Sequence, residues 1–90
     1  MRKRGKIDTN HSEIVKDLRK AGCSVQSLAS IGDGTPDLLV GFQGGNYLFE
    51  VKNGNSPLTI HEHKWHLAWN GHVRTVRSSE EVFRILGLLK

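Results

Sequence analysis

Two carboxylates and one lysine stand at the ends of two neighbouring apolar stretches. Asp37 follows a proline and opens the stretch DLLVGF, and Glu50 and Lys52 close the stretch NYLFEVK after twelve intervening residues. Because side chains alternate along a β-strand, Glu50 and Lys52 are predicted to project to the same face. Carboxylates and a cation in this arrangement are suited to holding a divalent metal ion beside a phosphate group.

The Gly44-Gly45 pair between the two stretches predicts a two-residue hairpin turn. That turn would place Asp37 opposite Lys52 and Leu39 opposite Glu50, so that Asp37 is diagonal to Glu50. Cross-strand Cβ atoms in such positions are roughly 5 to 8 Å apart. A register displaced by one residue would turn Asp37 to the other face. We therefore expect one face of the hairpin to carry both carboxylates and the lysine.

Mg²⁺ binds oxygen ligands and keeps several of its waters. The predicted ligands are the carboxylates of Asp37 and Glu50 and the backbone carbonyl of Val51. A divalent cation makes water easier to deprotonate, and that water can attack a phosphodiester. Lys52 is predicted to hold the phosphate, to orient the water or to stabilise developing negative charge.

The first predicted helix can supply a further ligand. Apolar residues recur at helical spacing over residues 9–21, and Gly22 is a typical helix stop. Glu13, near the start of this helix, is predicted to add a carboxylate directly or through water. Asn10 is the alternative from the same helix.

The remaining elements must bring these residues together. Turn residues, alternation and capping patterns predict strands over 23–30, 37–42, 46–52 and 72–77, and helices over 59–69 and from 78 onwards. The first three strands would form an antiparallel meander. The fourth follows a crossover helix and is expected to join the sheet in parallel. The fold class is therefore α+β, with a mixed four-stranded sheet flanked by helices.

Composition favours a single basic domain. The 90 residues carry a net charge of +4 with a pI of about 9.6, which favours a polyanionic partner such as nucleic acid. Residues 1–7 form a basic arm, and no apolar stretch reaches the roughly 20 residues that span a bilayer. One cysteine fits a reducing cytoplasm. The predicted nucleic-acid contacts are Arg2, Lys3, Arg4, Lys6, Asn10, His61 and Lys64.

Histidines on the second helix raise a zinc alternative. His61, Glu62, His63 and His66 cluster there, but position 65 is Trp, so the HExxH pattern fails. A helix facing solvent or DNA is the favoured interpretation. The glycines match no phosphate-binding loop, so no nucleotide cofactor is expected.

Most of the chain resembles the VRR-NUC (virus-type replication-repair nuclease) domain of the PD-(D/E)XK nuclease superfamily, in its stand-alone Holliday junction resolvase-like form. The matching segments are residues 10–22 (NHSEIVKDLRKAG), 34–41 (GTPDLLVG), 47–52 (YLFEVK), 58–59 and 71–81. The Pro-Asp and Glu-Val-Lys segments are the most specific part of the resemblance.

The resemblance implies a restriction-endonuclease-like αβββαβ core and hydrolysis of phosphodiesters with Mg²⁺ or Mn²⁺. It assigns metal binding to Asp37, Glu50 and the Val51 carbonyl, the catalytic lysine role to Lys52, and the helix carboxylate to Glu13. It also implies a homodimer that cuts branched DNA in the cytoplasm of a bacterium or phage-infected cell. The alternatives are a flap-type nuclease, a non-catalytic nucleic-acid-binding module on the same fold, and a small interaction domain.

Overall fold

The structure is a computed structural model that describes residues 10–89. The basic arm, with Arg2, Lys3, Arg4 and Lys6, lies outside the described residues. The elements follow the predicted order, with shorter bounds: α1 (His11–Lys20), β1 (Ser24–Ser27), β2 (Leu38–Phe42), β3 (Gly45–Val51), α2 (Ile60–Ala68), β4 (Arg74–Val76) and α3 (Ser79–Ile85).

The four strands form one mixed sheet in the order β1-β2-β3-β4. The first three strands are antiparallel neighbours, and β4 pairs in parallel with β3 after the α2 crossover. The predicted fold class, with its mixed sheet and flanking helices, is confirmed.

The hairpin turn differs from the predicted one. Phe42 pairs with Gly45, so the turn residues are Gln43 and Gly44. Both have positive φ, 49° and 83°, as a type I′ hairpin turn requires. Gly45 instead begins β3, where it lies close against the ring of Tyr47. The predicted Gly44-Gly45 turn is therefore wrong by one position.

This correction displaces the predicted register by two residues. Leu38 pairs with Phe49, and the same count places Asp37 level with Glu50 rather than with Lys52. Because side chains alternate with a period of two, a two-residue displacement leaves every side chain on its predicted face. The cross-strand partners change: Asp37 lies level with Glu50 instead of Lys52, and Leu39 pairs with Leu48 instead of Glu50.

The hydrophobic core lies between one face of the sheet and the helices α1 and α3. Phe49 and Val51 are buried there, as predicted for the face opposite Glu50 and Lys52. The apolar spacing of the last helix predicts that Leu89 points inward, but it is exposed. Other buried members of the core are Ile14, Leu18, Cys23, Leu38, Val40, Val76, Val82 and Leu86.

Helix α2 covers the other sheet face only loosely, since none of its residues is fully buried. Trp65 and Trp69 stack with ring centroids 4.5 Å apart. Together with Leu39 and Leu48 they line an open cavity over the sheet. Trp69 is 46% exposed, so it is only partly packed. No helix in the described part of the chain combines the length and apolar character needed to cross a membrane.

Candidate functional site

Asp37 and Glu50 meet at the end of the β2–β3 hairpin. Glu50 is only 2% exposed, although a glutamate side chain in water is charged at neutral pH. Asp37 Oδ2 accepts a hydrogen bond of 2.8 Å from the backbone N–H of Val51, and the Asp37 carboxyl group is close enough to Glu50 to raise the pKa of Glu50. Since the Val51 side chain is anchored in the core, the Asp37 carboxylate is held beside Glu50 by backbone geometry.

This environment raises the pKa of Glu50 to about 9. Burial is the largest cause, followed by the hydrogen bond with Asp37 and the negative charges of Asp37 and Glu62; Lys52 acts in the opposite direction. Glu50 Oε1 is buried and has no hydrogen-bond partner. A buried carboxyl oxygen without a partner, beside a second carboxylate, is a suitable ligand for a hard cation.

Lys52 is held by a residue from α2. Its Nζ lies 2.7 Å from Glu62 Oε1 and 4.0 Å from Glu50 Oε2. The same Glu62 oxygen accepts from the backbone N–H of Thr59 in the predicted capping box, which is confirmed. Burial alone would raise the pKa of Glu62, but hydrogen bonds from Lys52 and Thr59 outweigh it and lower the pKa.

Glu62 therefore joins the site, although the sequence indicated for it only a capping role and a place in the disfavoured zinc cluster. The position of Glu62 in the sequence could have indicated its contact with the end of β3. A crossover helix that follows β3 must begin near the end of that strand, and a residue in the first turn of the helix can reach the strand's last side chains.

The loop before β2 also packs against the start of α2. Gly34 has a φ of +83°, and a Cβ atom there would collide with the backbone carbonyl of His61. This close approach brings the segment that leads to Asp37 against the helix that carries Glu62. The sequence indicated an unusual backbone path at this glycine but not its partner.

Of the two residues considered on α1, Asn10 contacts this end of the sheet. Its Nδ2 donates to the backbone carbonyls of Lys52 (3.1 Å) and Arg77 (2.9 Å), and its Oδ1 is buried without a hydrogen-bond partner. Asn10 precedes α1 but makes no side-chain cap. Glu13 is exposed, and its side chain makes no hydrogen bond or ion pair with another residue of the 10–89 segment.

The predicted phosphate contacts His61 and Lys64 are exposed on α2. In the described part of the chain, no group of three or more His, Cys, Asp or Glu side chains is arranged so that it could hold a metal ion. Magnesium can be held by one or two carboxylates together with water and other oxygens. The Asp37 and Glu50 pair meets that smaller requirement.

Comparison of the chain with known protein families, with curated proteins and with solved structures found no match. The chemistry of the site is therefore judged from its own residues: two adjacent carboxyls, one of them protonated near neutral pH, and a lysine held by a third carboxylate.

Proposed function

We propose that this protein is a metal-dependent endonuclease that hydrolyses phosphodiester bonds in branched DNA. The observation that carries the proposal is the Asp37–Glu50 pair. Burial and a neighbouring carboxylate raise the pKa of Glu50 to about 9, so a nearby cation is needed for both groups to be ionised at neutral pH. Strongly perturbed carboxyls of this kind are concentrated at functional sites.

In this proposal Asp37 and Glu50 hold Mg²⁺, or Mn²⁺ in its place, with the Val51 carbonyl as a further ligand. The bound cation would lower the pKa of an attacking water and neutralise charge on the phosphate. The Val51 N–H fixes the Asp37 carboxylate, so the first ligand is oriented before the metal arrives.

Lys52 supplies the positive charge on the same face. Its side chain is 12% exposed and its ammonium group is oriented by Glu62, so little rotamer entropy is lost when it meets a phosphate. A fixed cation at this position stabilises the negative charge that develops on the phosphate during attack.

Two features support DNA as the substrate. The chain carries a net charge of +4. The resemblance to stand-alone VRR-NUC domains favours four-way junctions as targets. It also favours a homodimer, whose paired sites would cut two strands, and a place in phage-type or bacterial DNA recombination or repair in the cytoplasm.

A second candidate is a non-catalytic nucleic-acid-binding module on the same fold. One observation favours it: Lys52 is already paired with Glu62 at 2.7 Å, so the lysine has a structural role without substrate. Binding of DNA without cleavage in any metal would support this candidate.

The test is cleavage of labelled four-way junction, flap and linear duplex DNA in Mg²⁺, Mn²⁺ or EDTA. We expect junction cleavage with either metal, none in EDTA, and none in Asp37→Asn or Lys52→Ala. The matched control is His63→Ala, since His63 is exposed on α2 and should leave cleavage unchanged. Flap cleavage alone would support the flap-type alternative. Undiminished cleavage by either site variant, with circular dichroism unchanged, would reject the assigned site.

A further inference from the structure

A basic groove runs along the flank of α1 that faces the edge strand β1. It encloses an open volume of about 640 Å³. Its lining includes His11, Val15, Lys16, Arg19, Lys20 and Ser27. Among residues 10–89, three cations line this groove and no acidic side chain does.

The acidic residues of α1, Glu13 and Asp17, are neighbours of its lysines at helical spacing but are not part of the groove lining. Asp17 accepts a hydrogen bond of 2.6 Å from Ser79 at α3. Within the described residues neither Lys16 nor Lys20 forms an ion pair, and both are exposed. The lysines that line the groove are therefore without an ion pair within the described residues, although Glu13 and Asp17 lie about one helical turn from them.

One contact fixes a cation of the groove. Arg19 Nη2 donates a hydrogen bond of 3.1 Å to the backbone carbonyl of Val25 in β1, which fixes the guanidinium group over the strand edge. His11 is 8% exposed, and its Nε2 is buried without a hydrogen-bond partner.

The groove begins beside the candidate site. His11 directly follows Asn10, whose side chain contacts the Lys52 carbonyl. From His11 to Lys20 the helix rises about 14 Å, at 1.5 Å per residue. That length matches the axial rise of about four nucleotides of one DNA strand, at 3.4 Å each.

We propose that this groove binds the phosphate backbone of a duplex DNA arm. The statement that this DNA is also the substrate rests on the proposed nuclease function; binding itself does not. The contacts to phosphates are electrostatic and carry no sequence preference. The groove would position an arm of a branched substrate relative to Asp37, Glu50 and Lys52.

The test is fluorescence anisotropy with a labelled four-way junction and a labelled duplex in EDTA, between 50 and 200 mM KCl. The groove variant is Lys16→Gln with Lys20→Gln, and the matched control is Arg74→Gln with Arg84→Gln. Both pairs are exposed, each variant removes two charges, and glutamine keeps helix propensity close to that of lysine and arginine.

Each lost phosphate contact lowers the slope of log K against log salt by about 0.9. We therefore expect the groove variant to lose about 1.8 from the slope and the control pair to lose much less. Equal losses in the two variants would show only a general charge effect and would overturn the proposal, as would an absence of DNA binding by the wild-type protein.

Cleavage kinetics in Mg²⁺ separate this proposal from the nuclease proposal. A positioning groove predicts a raised KM and an unchanged kcat in the groove variant. Groove-dependent binding without any cleavage would leave the groove in place and reject the nuclease. Cleavage with an unchanged KM in the groove variant would reject the groove and leave the nuclease proposal in place.

Discussion

The ammonium group of Lys52 lies 2.7 Å from a carboxylate oxygen of Glu62. The two residues come from different elements, the end of β3 and the first turn of α2. The lysine of the hairpin pattern is therefore oriented by a helix residue outside that pattern. The capping box that starts α2 also fixes the carboxylate, because Glu62 Oε1 accepts from Thr59 N–H.

Glu62→Gln separates these two roles of Glu62. Glutamine can still complete a capping box, but it cannot form the ion pair with Lys52. We expect the free energy of unfolding to change by at most about 1 kcal/mol and junction cleavage to fall about 10-fold or more, the effect of losing an orienting partner. Urea denaturation and single-turnover cleavage measure the two effects.

Thr59→Ala is the complementary control. It removes the side-chain cap, at a cost of about 1 kcal/mol, while Glu62 and Lys52 stay charged. Cleavage by folded Thr59→Ala should therefore exceed that of Glu62→Gln. Full activity in Glu62→Gln would contradict the orienting role.

The raised pKa of Glu50 predicts that the free energy of unfolding, measured in EDTA, decreases as pH rises. Its pKa is raised from the ordinary value of 4.5 to about 9 in the folded state. The stabilisation by protonated Glu50 is complete below about pH 4.5, decreases as pH rises above that value, and is lost as pH passes about 9. Urea denaturation at pH 5, 7 and 9 should show this decrease.

Glu50→Gln should remove that dependence, because glutamine keeps a neutral side chain of the same shape. It should raise the free energy of unfolding at pH 8 by at least about 1 kcal/mol, since one pKa unit corresponds to about 1.4 kcal/mol. Glu80→Gln, at an exposed position, serves as the control for loss of one carboxylate. An identical pH profile in wild type and Glu50→Gln would exclude a buried, protonated Glu50.

Alanine at Asn10 and alanine at Glu13 are expected to have different effects on stability and on cleavage. Asn10→Ala leaves the carbonyls of Lys52 and Arg77 without their amide donor, which should cost about 1 to 3 kcal/mol and reduce cleavage. Glu13→Ala changes an exposed side chain and should affect unfolding by less than about 0.5 kcal/mol. If cleavage is lost in Glu13→Ala but kept in Asn10→Ala, the α1 carboxylate acts in the site as the sequence predicted.

Gly34 and Gly32 form a matched pair of positions. Both have positive φ, but a Cβ atom at Gly32 meets nothing within 4 Å, whereas one at Gly34 collides with the His61 carbonyl. Alanine at either position should cost about 1 kcal/mol for backbone strain. Gly34→Ala should cost at least 1 kcal/mol more and should reduce cleavage by displacing α2. Equal losses of stability would show that the packing of Gly34 against α2 contributes nothing.

Local patterns were sufficient to predict the element order, the sheet topology and the face on which Asp37, Glu50 and Lys52 lie. The turn position was not predictable, because Gln43 adopts a positive φ that sequence alone assigns to glycine. The error did not change the predicted face of Asp37, Glu50 and Lys52, since it displaced the register by two residues rather than one.

Contacts between distant elements were harder to foresee. The Asn10 and Glu62 contacts depend on where α1 and α2 pack, and no local periodicity encodes that. The charge and exposure of Glu13 made it an attractive ligand, while Asn10 reaches the end of the sheet because its amide can donate to two carbonyls there.

Calorimetric titration of the wild-type protein with Mn²⁺ at pH 7 tests the central claim most directly. If Asp37 and Glu50 hold the cation, binding must displace the proton that Glu50 retains with its pKa of about 9. In buffers of different ionisation enthalpy we predict release of about one proton per bound metal, and no binding in Asp37→Asn. Metal binding without proton release, or equal binding by Asp37→Asn, would contradict the account.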